Sequence, residues 1–184
     1  MDQTTRTLFA NLHSNDGDVR YAAYSAALKL TDQPVDWAYE VWDELLANTR
    51  HKSNHVRAIA TQVLANLAKS DPKRRMLKDF ETILAVTKDE KFVTARHTLQ
   101  SIWKIGAAGQ KQQQLVVQRL ADRYAECITE KNGALIRYDI IEDYKKLYDV
   151  VKDEAIKQKA LELIEIEEDP KYRKKYASVW KRRA

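Results

Sequence analysis

The chain has 184 residues, of which 44% are hydrophobic and 32% are charged, a balance that suits amphipathic helices around a packed core. No apolar run approaches the roughly 20 residues that a membrane-spanning helix needs, and the polar segment from Met1 to Leu8 is unlike a signal peptide. We therefore expect a cytoplasmic protein without a membrane span. The single cysteine, Cys127, cannot form an internal disulfide, which agrees with a reducing compartment.

The net charge of +5 is concentrated near the carboxy terminus. Residues 171–184 carry seven basic side chains and no acidic one, so residues 1–170 together carry −2. A body without an excess of positive charge weakens a nucleic-acid interpretation. Apolar and aromatic residues recur at helical spacing between Tyr172 and Trp180, which favours a docked helix with exposed lysines over a flexible basic arm.

Ten helices in five pairs are predicted, because apolar residues recur every three or four positions and no β-rich alternating segment occurs. The few Gly and Pro residues fall between these helices, and polar N-cap residues precede several of them. In chain order, the predicted pairs are 3–13 with 17–32, 35–49 with 54–69, 73–87 with 90–105, 110–130 with 133–150, and 153–168 with 170–183.

An arginine near the start of each second helix sets a long period. The five arginines lie 37, 39, 41 and 36 residues apart. Apolar or small residues follow each of them three, six and seven positions later, with Asp143 as the single exception. A period near 40 residues is typical of stacked helical repeats. The arginines are Arg20, Arg57, Arg96, Arg137 and Arg173.

Two segments resemble the second helix of HEAT-type repeats: residues 18–23 (DVRYAA) and residues 55–60 (HVRAIA). The resemblance implies an all-α fold, a right-handed superhelical α-solenoid of about five HEAT-like helix pairs. The chain would be a single domain, residues 1–184. Its predicted repeats are 1–33, 34–71, 72–108, 109–151 and 152–184.

The resemblance also implies partners for the arginines. In HEAT repeats this arginine commonly pairs with an aspartate in a turn of a neighbouring repeat. Asp16, Asp89 and Asp169 stand at suitable places in this sequence, whereas Ser53 and Gly133 stand near the equivalent places in repeats two and four. A continuous ladder of aspartate–arginine pairs is therefore not expected.

Residues that carry catalysis or bind metals occur without a recognisable arrangement. His51 and His55 have the i, i+4 spacing of two metal ligands, but Ser53 between them predicts a turn. Cys127 lies on an apolar helical face, where an inert buried thiol is expected. Glycines are too scattered to build a phosphate-binding loop. We predict no catalytic residue, no metal, no cofactor and a non-enzymatic protein.

A partner-binding face is predicted on the second helices, which line the concave side of HEAT-like arrays. At about 100° per residue, the positions one, five and eight after each arginine lie opposite the packed face. Their side chains change from aromatic and apolar, through small polar, to basic along the chain, and aromatic groups suit recognition. The predicted contacts are Tyr21, His97, Lys104, Tyr138, Glu142, Lys145 and Lys181.

The sequence favours a binding or scaffold protein whose partner is a protein or peptide, and the lysines would favour an acidic segment. Two alternatives stay open. HEAT-like alkylpurine DNA glycosylases hold DNA in a cleft with aromatic residues and a carboxylate, which Tyr21, Tyr138 and Glu142 match only loosely. HEAT-like chromophore lyases cradle a client, so an accessory factor of that kind is the other alternative.

Overall fold

The computed structural model describes residues 1–181, and all regular structure in that range is helical. The chain divides into two compact units, residues 1–101 and 102–184, which we call the amino-terminal and carboxy-terminal units. The division falls within one long helix. Arg182 and Arg183, which the sequence places in the last helix and its basic charge, lie outside the described residues.

The helices of the amino-terminal unit begin and end near the predicted positions. Asp16 shows why: its carboxylate accepts hydrogen bonds from the amides of Asp18 (2.8 Å) and Val19 (3.2 Å), so a helix begins at Gly17. The helices are α1 (Gln3–Asn11), α2 (Gly17–Thr31), α3 (Ala38–Asn48), α4 (Asn54–Leu67), α5 (Met76–Ala85) and α6 (Phe92–Gly106), the last of which continues into the next unit.

Stacked helix pairs build the core of the amino-terminal unit. α1 packs against α2, and α3 packs against α4, while α2 also contacts α4 and α3 contacts α5. First helices therefore adjoin first helices, and second helices adjoin second helices. The largest fully buried side chains include Trp42, Phe80 and Leu64. α4 is buried on most of its surface, and its core includes Val63 and Leu67.

The carboxy-terminal unit repeats this arrangement with α7 (Gln110–Glu126), α8 (Gly133–Val151), α9 (Glu154–Glu165) and α10 (Pro170–Lys181). α7 packs against α8 and α9 against α10, while α7 contacts α9 and α8 contacts α10. Tyr176 of α10 is fully buried, and its hydroxyl donates to the carbonyl oxygen of Ala134 at 2.7 Å. The predicted docked helix is therefore confirmed for the described residues.

The repeated arginines make one contact that the sequence did not predict. Three of them donate to the carbonyl oxygen six residues earlier, which ties the second helix to the preceding turn. The donor–acceptor distances are 2.6 Å for Arg20 to Ser14, 2.8 Å for Arg57 to His51, and 2.8 Å for Arg173 to Glu167.

The arginine–aspartate pairing implied by the resemblance to HEAT-type repeats is confirmed for Asp89 and wrong for Asp16 and Asp169, whose carboxylates accept from helix amides instead. Arg57 forms a bidentate ion pair with Asp89, with distances of 2.5 Å and 2.8 Å. Arg137 instead pairs with Glu167 at 2.7 Å. Asp169 accepts from the Lys171 amide at 2.8 Å, so its carboxylate caps α10 and does not face the arginine. The single-domain boundary and the repeat limits remain predictions.

Candidate functional site

A cavity of about 370 Å³ lies on the second helices of the amino-terminal unit. The helical repeat brings together here three residues that follow an arginine directly: Tyr21, Ala58 and His97. α2, α4 and α6 each contribute one of them, so the predicted row converges on one place within this unit. The cavity is lined by Gly17, Arg20, Tyr21, Tyr24, His55, Ala58, Ile59, Gln62 and His97.

Two tyrosines form one side of the cavity, and their side chains differ in conformational freedom. The side chain of Tyr24 is held in place because its hydroxyl donates to Gln62 Oε1 at 2.8 Å, and Gln62 in turn donates to the Ala58 carbonyl oxygen at 2.9 Å. Burial raises the pKa of Tyr24, so its hydroxyl stays protonated at neutral pH. Tyr21 is 70% exposed, with its ring centroid 6.3 Å from that of Tyr24. Tyr21 is thus an accessible aromatic surface beside a fixed one.

The lining also includes one arginine and two histidines, Arg20, His55 and His97. Arg20 Nη1 donates to the Ser14 carbonyl oxygen, which leaves Nε and Nη2 without a protein acceptor among residues 1–181. His55 and His97 are exposed at the rim. None of the described lining residues is acidic. The carboxylate of nearby Asp16 is engaged by two α2 amides. The cavity therefore has a basic and aromatic lining.

The predicted contacts in the carboxy-terminal unit are more strongly engaged with their own unit. The Tyr138 hydroxyl donates to Glu142 Oε1 at 2.8 Å, and Lys175 Nζ lies 4.6 Å from the Tyr138 ring centroid. Lys145 Nζ donates to Asp149 Oδ1 at 2.6 Å, so a neighbouring carboxylate offsets its charge. Tyr138 and Glu142 meet as the spacing predicts, but Tyr138 is half-buried.

The two remaining predicted lysines differ in their surroundings. Lys104 Nζ lies 5.8 Å from the ring centroid of Trp103 and is half-buried. Lys181 is exposed at the last residue of α10. The face predicted from helical spacing is also incomplete, because Ala65 and Ser101 are buried. The exposed side chains of this face are therefore separated by covered positions in the amino-terminal unit.

Sequence reasoning missed Arg20, Tyr24 and His55 as lining residues. Arg20 was interpreted only as a marker of the repeat, because an arginine at that position normally serves the fold. A usable signal was present at His51, which occupies the place in its turn that Asp89 occupies in the following repeat. The Ser53 amide donates to His51 Nδ1 as the Lys91 amide donates to Asp89 Oδ1. An arginine without its usual acidic partner is a candidate for binding an external acid.

The histidines and the cysteine considered as metal-binding or catalytic residues do not form a reactive site among the described residues. Among residues 1–181, no group of three or more His, Cys, Asp or Glu side chains could hold a metal ion. His51 Nδ1 accepts from the Ser53 amide at 3.0 Å, which places it in the predicted turn. Burial raises the pKa of the Cys127 thiol, so it stays protonated and inert. No described helix has the length and apolarity to cross a bilayer.

Neither a family model nor a curated protein sequence matches the chain. Solved structures are similar in fold. An engineered protein determined by crystallography has a TM-score of 0.52 at 12% identity, over 97% of this chain and 95% of that one. A designed armadillo repeat protein has a TM-score of 0.50 at 15% identity, over 95% of this chain and 79% of that one.

A second designed armadillo repeat protein, in complex with the peptide (KR)4, has a TM-score of 0.49 at 13% identity, over 98% of this chain and 99% of that one. The first two similarities and the packing of the described helices define an all-helical repeat fold of stacked helix pairs. At these identities the similarity concerns the fold, so the function is argued from the cavity and its residues.

Proposed function

We propose that the chain is a non-enzymatic binding protein whose second helices hold a segment of a partner protein or a peptide. The observation that carries this proposal is the cavity of the amino-terminal unit, where Tyr21 is 70% exposed above a floor that includes buried Ala58. An exposed aromatic beside an apolar floor is costly to leave in water and suits a partner that covers it.

The tyrosines would supply most of the binding energy. Interface hot spots are enriched in Tyr, Trp and Arg and lie in pockets that exclude water on binding. Tyr24 is already fixed by Gln62, so little of its freedom is lost when a partner binds. Tyr21 can pack over a partner side chain while its hydroxyl stays in contact with water.

The acidic character of the partner is part of the same proposal. Lys181 is exposed and would attract an acidic segment, whereas Lys145 would contribute less because Asp149 already neutralises it. Rim charges of this kind tune association rate and salt dependence more than affinity. A HEAT-type identity of the repeats is supported by the Arg57–Asp89 pair between successive repeats. A cytoplasmic location is supported by the single, buried, unpaired Cys127.

Site-specific photo-crosslinking tests the proposal. A photoreactive phenylalanine analogue placed at position 21 should crosslink a discrete partner protein in native lysate, which mass spectrometry identifies. The control carries the same group at Val93, which is 63% exposed in the same unit and is absent from the cavity lining. Equal crosslinking at both positions would indicate nonspecific contact and contradict the proposed site.

Substitution then measures the energy. Tyr21→Ala should weaken binding of the identified partner by at least about tenfold, as expected for a hot-spot aromatic. Tyr21→Phe, which keeps the ring, should stay close to wild type. Tyr21→Ala combined with Tyr138→Ala should abolish capture. Tight binding to DNA or RNA that falls steeply between two salt concentrations would favour the nucleic-acid alternative instead.

A further inference from the structure

We propose that the cavity beside Arg20 is a carboxylate-binding pocket that anchors an aspartate or glutamate side chain of the partner. We call it the Arg20 pocket and define it by Arg20, Tyr21, Tyr24, His55 and His97. The inference rests on the proposed function, because it names the chemical group that the same surface would hold.

Arg57 shows what an arginine at this repeat position binds. Its Nη1 donates to the carbonyl oxygen six residues earlier, and its Nε and Nη2 form a fork that holds the two oxygens of Asp89. Arg20 repeats the first contact, because its Nη1 donates to the Ser14 carbonyl oxygen at 2.6 Å. The Nε and Nη2 edge of Arg20 is thus the edge that binds a carboxylate one repeat later.

The carboxylate for this edge is missing from the described part of the chain. No acidic side chain within residues 1–181 forms an ion pair with Arg20. The place that corresponds to Asp89 is held by His51, whose Nδ1 accepts from the Ser53 amide as Asp89 Oδ1 accepts from the Lys91 amide. Asp16 lies close in sequence, but its carboxylate is held by the amides of Asp18 and Val19. A bidentate arginine–carboxylate pair is among the strongest polar contacts in proteins, so Arg20 offers an external carboxylate a prepared pair of N–H donors.

The rest of the pocket favours the same ligand. A volume of about 370 Å³ is several times the share of one water molecule, about 30 Å³, so an acidic side chain fits inside. His55 and His97 can add N–H donors, and none of the lining residues within 1–181 is an acid that would repel the ligand. The exposed ring of Tyr21 can cover the methylene groups of the bound side chain.

The charge of the pocket matches a carboxylate better than a phosphate. Arg20 is the only one of the described lining residues with a permanent positive charge, and its planar fork fits the two oxygens of a carboxylate. A phosphorylated side chain carries close to two negative charges at neutral pH and usually requires a cluster of arginines. One guanidinium therefore matches the single charge of an aspartate or glutamate.

Arginine side-chain NMR of the full chain tests the proposal without any substitution. The probes are two acetylated, amidated peptides, (Glu-Ser)4 and (Gln-Ser)4, which differ only in side-chain charge. The ¹H–¹⁵Nε signal of Arg20 should shift and saturate with (Glu-Ser)4 and stay unchanged with (Gln-Ser)4. An unchanged Arg20 signal with both peptides, or equal shifts with both, overturns the carboxylate pocket.

Matched variants assign the effect to one guanidinium. Arg20→Gln should weaken (Glu-Ser)4 binding at least about tenfold, whereas Arg20→Lys should lose less because it keeps the charge without the fork. Arg50→Gln removes the same charge from an exposed arginine outside the pocket and should bind as wild type does. Equal weakening by Arg50→Gln would mean general attraction and overturn the pocket, as would tenfold tighter binding of a (phosphoSer-Ser)4 peptide.

The experiments can reject the protein-binding function and the carboxylate pocket independently of each other. Specific crosslinking at position 21 without any preference for (Glu-Ser)4 keeps the protein-binding function and rejects the carboxylate anchor. A peptide preference that disappears in Arg20→Gln, without specific crosslinking at position 21, supports the pocket and rejects Tyr21 as the protein contact.

Discussion

The amino-terminal and carboxy-terminal units stack their helices in the same order but differ in how fully their buried polar groups are hydrogen-bonded. In the amino-terminal unit, Asn66 Nδ2 donates to the Leu28 carbonyl oxygen (3.0 Å) and to Thr31 Oγ1 (3.1 Å), and the hydroxyls of Thr61 and Thr98 lie 2.9 Å apart. These bonds join successive second helices. Satisfied buried polar contacts of this kind help to fix how one helix lies against the next.

The carboxy-terminal unit instead buries contacting aromatic rings and several polar atoms that lack hydrogen-bond partners. Tyr176 lies within ring-contact distance of three other tyrosines. Every buried side-chain atom found without a hydrogen-bond partner within residues 1–181 belongs to this unit: Tyr124 Oη, Arg137 Nη1, both carboxylate oxygens of Asp143, and Trp180 Nε1. Each such atom lowers the free energy of unfolding by about 1–3 kcal/mol. Substitutions that remove these atoms can therefore stabilise the carboxy-terminal unit more than the amino-terminal unit.

Removal of α10 should have the largest effect on the carboxy-terminal unit. A chain ending at Asp169 loses Tyr176 and Val179, which are buried against α8 and α9. Because a repeat is buried mainly by its neighbours, we expect a loss of more than about 4 kcal/mol and reduced solubility. Thermal unfolding followed by circular dichroism, with sedimentation to measure soluble protein, would show this change.

The matched control ends at Lys181 and so keeps the whole of α10. It should unfold as the full chain does. If the chain ending at Asp169 is as stable and soluble as this control, α10 does not contribute to the core and the aromatic packing of this unit carries little energy.

Arg57→Ala should destabilise the amino-terminal unit by about 1–3 kcal/mol, because charge-assisted hydrogen bonds to Asp89 and His51 are lost. The Asp89 side chain is only 5% exposed, so its carboxylate would be left largely desolvated. Arg20→Ala is the matched comparison, since Arg20 loses only the bond to Ser14. Denaturant unfolding should give a smaller loss for Arg20→Ala, and equal losses would contradict a structural role for the ion pair.

The same pair predicts a dependence on pH. Burial raises the pKa of Asp89, but the hydrogen bonds from Arg57 and the Lys91 amide outweigh burial, so the net pKa lies below its ordinary value. The stabilisation is therefore present above the unfolded-state value of about 4 and is lost as the pH falls through the folded-state pKa. The stability difference between wild type and Arg57→Ala should shrink in acid.

Local rules explain which parts of the fold the sequence could predict. Helical periodicity and the position of residues such as Pro34 and Gly133 are local properties, so the ten helices and their pairing were predictable. The partner of Arg137 was not, because whether Glu167 or Asp169 reaches the guanidinium depends on the conformation of the turn before α10. The same local pattern placed Ala65 on an open face, but neighbouring helices cover it.

The candidate site was predictable only in part, for a related reason. Tyr21 and His97 followed from their position in the repeat, and the structure places both at one cavity. Arg20 was missed because the sequence alone does not show that its guanidinium lacks an acidic partner among the described residues. The ion pair of Arg57 with Asp89 shows that the Nε and Nη2 edge of the guanidinium binds a carboxylate at this repeat position. Only this geometry shows that the same edge of Arg20 lacks a partner among the described residues.

Asp143→Val gives the smallest predicted effect, and its sign is opposite to the others. Asp143 stands six residues after Arg137, where the other repeats carry Ala26, Val63, Ile102 and Val179. It is fully buried and neither carboxylate oxygen has a hydrogen-bond partner among the described residues. Replacement by valine removes this cost and follows the repeat pattern, so we expect a gain of about 1–2 kcal/mol at pH 7 by denaturant unfolding.

The pH dependence of that gain separates charge from packing. Burial raises the pKa of Asp143 well above its ordinary value; the attraction of Lys146 opposes this rise, and repulsion from Asp139 and Glu142 adds to it. The folded wild type therefore holds a proton that the unfolded chain releases above about pH 4, so wild-type stability falls as the pH rises from there towards the folded-state pKa. The advantage of Asp143→Val should grow over that range. Asp143→Asn removes the same proton but keeps an unsatisfied polar group, so its advantage should grow equally with pH from a lower starting value. A gain independent of pH would mean that Asp143 is charged in the folded protein, and that the carboxy-terminal unit satisfies its buried polar groups as fully as the amino-terminal unit does.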